Sequence, residues 1–269
     1  MTVLAFDIET VPDVEAGRRL YGLEGLDDAS VVRAMQQLRR QESGQEFLRL
    51  HLQRIVAISV AVRTAEWFRV WSLGGPESEE AELVRRFFDG VERFTPRLVS
   101  WNGSGFDLPV LHYRALLHGV QAPRYWETGE EDQSFRWNNY LSRYHERHTD
   151  LMDVLAGYQG RAAAPLEEIA VLLGLPGKMG MHGSRVWEAW QEGRIGEIRD
   201  YCETDALNTY LIHLRYELMR GRLSAEAYAR ELAVVADALR ADGRPHLLAF
   251  LEAWRDAPPP REAAAGGEG

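Results

Sequence analysis

Near its start the chain reads Thr2-Val-Leu-Ala-Phe-Asp7-Ile-Glu9-Thr10, an apolar, strand-like run that continues into two carboxylates one residue apart. In a β-strand, residues i and i+2 point to the same face, so Asp7 and Glu9 would project together. Side by side on a core strand they repel each other and lose hydration unless a cation sits between them. A strand ending in a solvated turn is the other reading, because Val11-Pro12-Asp13 follows at once. What other segments bring to the same place decides between a metal pair and a turn.

Two further stretches carry groups of the same kind. In Val99-Ser-Trp101-Asn102-Gly103-Ser104-Gly105-Phe106-Asp107-Leu108-Pro109 a strand ends, small residues turn the chain, and Asp107 opens a helix. Asp is a good N-cap and Pro is welcome in a first helical turn. The handover from strand to helix is also the rim where open α/β sheets place ligands, and the two roles are compatible. Asn102 would hydrogen-bond a substrate or cap the turn. The third stretch is Asp200-Tyr201-Cys-Glu203-Thr-Asp205-Ala-Leu-Asn208, inside a long helical pattern. Tyr201 and Asp205 are four apart and share a helix face, whereas Glu203 points elsewhere and is expected in solvent.

These residues need elements to hold them. Arg54 to Arg63 and Glu66 to Leu73 are β-rich runs with two residues between them, which predicts an antiparallel hairpin after the first strand. Glu77 to Phe94 is an amphipathic helix, Arg97 to Trp101 a short strand, and Asp107 to His118 a helix. From Asp150 onward the pattern is helical: Leu151–Tyr158, Pro165–Leu173, Ser184–Gln191, Ile195–Arg220, Ser224–Ala241 and Pro245–Ala257. The expected fold is an α/β mixed sheet flanked by helices, with a helix-rich C-terminal half. We expect one domain over 1–257 with a helical insertion at 11–53, and a disordered, low-complexity tail at 258–269.

With 269 residues, 45% of them hydrophobic and 27% charged, the composition is that of a globular protein. No run approaches the length of a membrane helix and no signal peptide is legible, so a cytoplasmic protein is expected. Cys202 is the only cysteine, which excludes a disulfide framework and a cysteine zinc site. A net charge of −10 argues against a nucleic-acid coat protein, but not against an enzyme that touches a few phosphates. Lys178 is the single lysine among 31 basic residues.

Taken together, Asp7, Glu9, Asp107, Asp205 and Tyr201 form a pattern that resembles the tyrosine-bearing branch of the DEDD exonuclease superfamily. More closely, the chain is similar to stand-alone proteins related to the proofreading exonuclease domain of family-B DNA polymerases. Phe6-Asp-Ile-Glu-Thr10, Trp101-Asn-Gly-Ser-Gly-Phe-Asp107 and Tyr201-Cys-Glu-Thr-Asp205 carry the likeness, helped by the stretch from His148 to Gly180. It covers nearly the whole chain except residues 15–50 and the tail. The resemblance implies a ribonuclease-H-like fold and 3′→5′ removal of nucleotides from single-stranded DNA. It also implies two Mg²⁺ or Mn²⁺ ions, which prefer hard carboxylate oxygens. By the same likeness, Asp7, Glu9 and Asp205 hold the ion that activates water, and Asp7 bridges to a second ion that Asp107 reaches directly or through water. Tyr201 orients the water, a phenol being a poor base at neutral pH. Thr10, Trp101, Asn102 and Phe106 in the matched motifs, and Lys178 as a point charge on phosphate, are expected to touch substrate. An exoribonuclease is the near rival, and a non-catalytic module binding a nucleic-acid end or a protein the distant one. A binding module has no need of all five residues. Any polymerase partner would have to be a separate protein, its docking surface expected on residues 15–50.

Two stretches stay open. Arg124-Tyr-Trp126 and Phe135-Arg-Trp137-Asn-Asn-Tyr140-Leu-Ser-Arg143-Tyr144 interleave arginines with aromatics, as single-strand-binding surfaces do; the alternative is a loop pinned to the core by its aromatics. Gly174-Leu-Pro-Gly177-Lys178-Met-Gly180 is a flexible loop but not a P-loop. His112 and His118 have no partner at ligand spacing, Trp187 and Trp190 are expected in the core, and Asp150 and Asp153 are expected to cap a helix start.

Overall fold

The computed structural model describes residues 2–257; the tail for which disorder was expected lies outside them. In chain order the first elements are β1 (Val3–Pro12), α1 (Val14–Tyr21), α2 (Asp28–Ser43), β2 (Gln53–Arg63), β3 (Phe68–Ser72), α3 (Glu80–Phe94) and β4 (Arg97–Ser100). There follow α4 (Asp107–His118), α5 (Pro123–Trp126), β5 (His148–Asp150), α6 (Leu151–Leu155), α7 (Leu166–Leu172) and α8 (Val186–Gln191). The chain then runs through α9 (Ile195–Met219), α10 (Ala225–Asp242) and α11 (Pro245–Asp256). The strands form one mixed sheet in the order β3-β2-β1-β4-β5. β2 is antiparallel to β1 and to β3, while β4 and β5 run parallel to β1. This is the ribonuclease-H-like architecture that the resemblance implied.

Alternation along β1 decides what each face does. Leu4, Phe6 and Ile8 pack with Phe87, Phe88 and Leu111 from α3 and α4 on one side. Ala5, Asp7 and Glu9 therefore face the other side, where α9 crosses β1 and β2. Their cross-strand partners are Ala61, Ser59 and Ala57. All three are fully buried, as are Cys202 and Ala206 on α9. Small side chains on both surfaces let the helix come close to the sheet. At the end of this stretch the register slips, because Glu9 pairs with Ala57 but Thr10 with Ile55, leaving Val56 as a bulge. Bulges bend a strand and re-aim its side chains.

α9 is buried from Tyr201 through Leu214 on all its sides, which marks a central helix, not a surface one. That overturns the expectation that Glu203 is solvated. It is only 2% exposed and accepts hydrogen bonds from the Ser72 amide (2.9 Å), the Ser72 hydroxyl (2.8 Å) and Arg244 (2.7 Å), with His246 at 2.9 Å. Burial pushes its pKa up, but His246, Ser72 and Arg244 outweigh this and hold the carboxyl below its usual range. Glu203 thus fastens α9 to the β3 edge and the start of α11.

The insertion is tied down in a similar way. Asp13 caps α1 through the Ala16 amide (3.0 Å), and its other oxygen pairs with Arg114 Nη1 at 2.6 Å. Arg114, 4% exposed, also forks onto Glu80, which accepts from the Ile55 amide at 2.6 Å and meets His118 Nε2 at 2.8 Å. The helix histidine that had no partner at ligand spacing in sequence is thus a partner of Glu80 in space. Trp187 and Trp190 are partly buried against the Val56–Ile198 cluster. Among the described residues, no helix is long and apolar enough to cross a membrane. Arg114→Ala removes the one guanidinium shared by two buried acids and is expected to cost about 3–5 kcal/mol in urea unfolding. A loss below about 1 kcal/mol would show that the cluster is not holding the insertion to α3 and α4.

Candidate metal and catalytic site

Where α9 crosses β1, the predicted acids converge. One carboxylate oxygen each from Asp7, Glu9 and Asp205 lie within 4.8 Å of one another. Glu9 and Asp205 are buried and Asp7 is partly exposed, which gives the cluster an opening. Burial and mutual repulsion raise the pKa of Asp7 and of Glu9 well above the ordinary range. Burial likewise lifts Asp205 to about 6, although Tyr201 and Lys178 pull the other way. The donor set suits a hard divalent cation, being oxygen only. Asp205 Oδ1 is moreover buried with no hydrogen-bond partner among the described residues. Leaving such an atom unpaired is costly unless something binds it.

Asp107 arrives differently from expectation. Phe106, not Asp107, occupies the N-cap of α4, and no side chain caps that turn. Asp107 instead reaches across to β1 and accepts the Ile8 amide at 3.2 Å, between the two β1 acids. Burial raises its pKa to about 7, helped by the charge of Asp150. Asp150 does cap its helix, accepting the Met152 (3.1 Å) and Asp153 (3.3 Å) amides, but it does more. It also accepts the Asn102 amide at 2.9 Å and the Ser104 amide at 2.8 Å, clamping the turn before Asp107. Asn102 sits at φ 63, a conformation Asn tolerates better than most residues.

Tyr201 lies beside Asp205, and burial raises its pKa far above the usual phenol range, so the hydroxyl stays protonated. It also walls a cleft of about 390 Å³ shared with Met179, Arg194 and His246. Lys178 places its ammonium 5.9 Å from the Tyr201 ring centroid. Its loop is pinned at Gly177, whose carbonyl accepts from Asn208 at 2.8 Å. At φ 66 and with Val171 only 3.0 Å from where a Cβ would stand, glycine is required there.

The remaining predicted contact residues are spread around this centre. Thr10 gives its hydroxyl to Gln53 at 3.1 Å, and Trp101 gives its indole N–H to the Ala164 carbonyl at 3.1 Å. Phe106 rests against Phe47, ring centroids 5.9 Å apart. Cys202 was not anticipated: its fully buried thiol lies 3.3 Å from the Asp7 carbonyl and 3.5 Å from Asp7 Oδ2. No local spacing signals it, since the partners are 195 residues apart.

The cluster of acids on β1 and α9 could hold a metal ion, and the fold places the chain in the ribonuclease-H-like class. Within it, the chain belongs to the family described as "Predicted 3'-5' exonuclease related to the exonuclease domain of PolB", whose model matches residues 45–254. The match includes Asp107, Tyr201 and Asp205 and starts after Asp7 and Glu9. A DNA polymerase of Pyrococcus glycovorans is 27% identical over 152 residues, 55% of this chain and 19% of the polymerase. The chain thus matches less than a fifth of that relative's length.

The raised pKa values have a sign that can be measured. Without metal, folded Asp107 and Asp205 hold protons that the unfolded chain has released. Their contribution is therefore fullest below about pH 4 and is lost as pH rises to about 7. Melting in EDTA is expected to fall over that window, and Mn²⁺ to restore more stability above it than below, because protons compete with metal. Equal slopes with EDTA and Mn²⁺ would contradict this.

Proposed function

We propose that the chain is a metal-dependent 3′→5′ exonuclease acting on single-stranded DNA. The observation that carries this reading is the convergence of Asp7, Glu9 and Asp205 within 4.8 Å, with a buried Asp205 oxygen left unpaired. Asp7, Glu9 and Asp205 would hold one Mg²⁺ or Mn²⁺ ion, and Asp7 with Asp107 a second. When bound, two such ions supply an activated water and neutralise charge on the leaving oxygen.

The chain's own groups have separable tasks. Tyr201, protonated and beside Asp205, orients the attacking water without acting as base. Asp107 is held by the Ile8 amide, and Asp150 fixes the turn that presents Asn102 and Phe106 to the strand. Lys178 meets the scissile phosphate as a point charge. Thr10 and Trp101 border the same end of the sheet and complete the contacts to the terminal nucleotide. Polarity rests on the family, and DNA is favoured because the curated relative is a DNA polymerase. We read residues 1–257 as one catalytic, cytoplasmic domain. A protein partner would meet residues 15–50, where Leu20, Tyr21, Leu26 and Phe47 are exposed.

The test is a 5′-labelled single strand of DNA and its RNA counterpart, incubated with Mg²⁺, Mn²⁺ or EDTA. A metal-dependent ladder shortening from the 3′ end is expected, faster on DNA and absent in Asp7→Ala. Tyr201→Phe is expected to lose about a hundredfold in kcat. Faster RNA trimming would reassign the substrate, and no shortening of either strand would leave a binding module.

A further inference from the structure

The interleaved arginines and aromatics of residues 124–144 separate into two groups. Tyr125, Phe135 and Tyr140 are core residues, the two tyrosines stacked with centroids 5.5 Å apart and planes within 8°. They pin the loop. Trp137 and Tyr144 are 80% and 74% exposed. Trp126 differs from both groups: it is 51% exposed and lines a cleft of about 620 Å³.

That cleft begins at Ser104 and Gly105, in the clamped turn that leads into Asp107, and runs along Leu108, Pro109 and His112 of α4. Its size is that of a small-ligand site. His112 packs 4.9 Å from the Trp126 ring and 5.1 Å from that of Tyr125. Its Nε2 is shut off from solvent and has no hydrogen-bond partner among the described residues. Burial lowers the His112 pKa to about 4, so at neutral pH the ring is uncharged and packs against the indole as an apolar neighbour would. Arg143, ion-paired with Asp153 at 3.3 Å, stands at the mouth with half its side chain in solvent.

A half-exposed indole in a cleft with an arginine at the rim is what a nucleotide satisfies. The base stacks and its phosphate meets the cation. Continuity with the turn before Asp107 points to a nucleotide of the strand being degraded, not to a free ligand.

We propose that this cleft is a base-binding subsite for an internal nucleotide of the substrate strand, with Trp126 as stacking face, backed by the ring of His112. The proposal rests on the exonuclease reading for the identity of its ligand. The subsite would hold the strand by a base upstream of the 3′ end, so that affinity depends on a base at a fixed distance from that end.

Single abasic positions, scanned inward from the 3′ end of a labelled single-stranded DNA, test this with wild type, Trp126→Ala and His112→Phe. Rates are read in Mn²⁺, and binding by fluorescence anisotropy in EDTA. In wild type, one internal abasic position is expected to raise KM and weaken binding about tenfold. Trp126→Ala should show that loss on the intact strand and no further loss from the abasic position. His112→Phe, which keeps a ring behind the indole, should retain the wild-type profile. Folding is not at stake at half-exposed Trp126. Uniform abasic effects along the strand, or the same profile in Trp126→Ala as in wild type, would overturn the subsite while leaving the exonuclease intact. If no strand is cleaved, the exonuclease reading falls and the anisotropy profile alone decides the subsite by the same criteria.

Discussion

Burying like charges next to one another is the constraint on which this structure turns. Elsewhere in the molecule a buried acid is answered by donors. Glu80 meets Arg114, His118 and the Ile55 amide, and Glu203 meets Arg244, His246 and Ser72. Asp7, Glu9 and Asp205 are different. Lys178 lowers the pKa values of Glu9 and Asp205 only partly, and burial leaves all three raised. A fold bears that cost when the site has a use for uncompensated charge, and a pair of divalent cations is such a use.

The surrounding architecture is arranged to impose the cost, not to relieve it. β1 is central, so its residues cannot reach solvent at a sheet edge. Ala5, Ala57, Ala61, Cys202 and Ala206 let α9 close down on the carboxylates. The bulge at Val56 follows immediately after Glu9. The Glu203 cluster holds α9 to the β3 edge, and the Arg114 cluster holds the N-terminal insertion to α3 and α4. The stability lost at the site is offset by packing and ion pairs away from it.

Much of this was legible in the residues, because the relevant spacings are local. The i, i+2 pair in β1 and the i, i+4 pair in α9 read directly, as did the hairpin, α4 and the run of C-terminal helices. What escaped depends on partners far apart in sequence. Glu203 reads as solvated from α9 alone, since Ser72 lies 131 residues away. Asp107 looks like an N-cap, and only the fold brings it to Ile8, 99 residues distant. Asp150 reads as a cap, and its second task, holding the Asn102 turn, needs β4 and β5 side by side. The aromatic loop read equally well as core or as surface because it is both, divided residue by residue.

The most direct measurement of the central claim is where Mn²⁺ sits. In crystals soaked with Mn²⁺ at a pH above the raised carboxylate range, the anomalous difference map is predicted to show an ion bounded by Asp7, Glu9 and Asp205. A second ion is predicted on the Asp107 side, and both peaks should vanish in Asp7→Asn. A map with no peak among these acids, while the fold is intact, would mean that the cluster is held by something other than metal and would contradict the account.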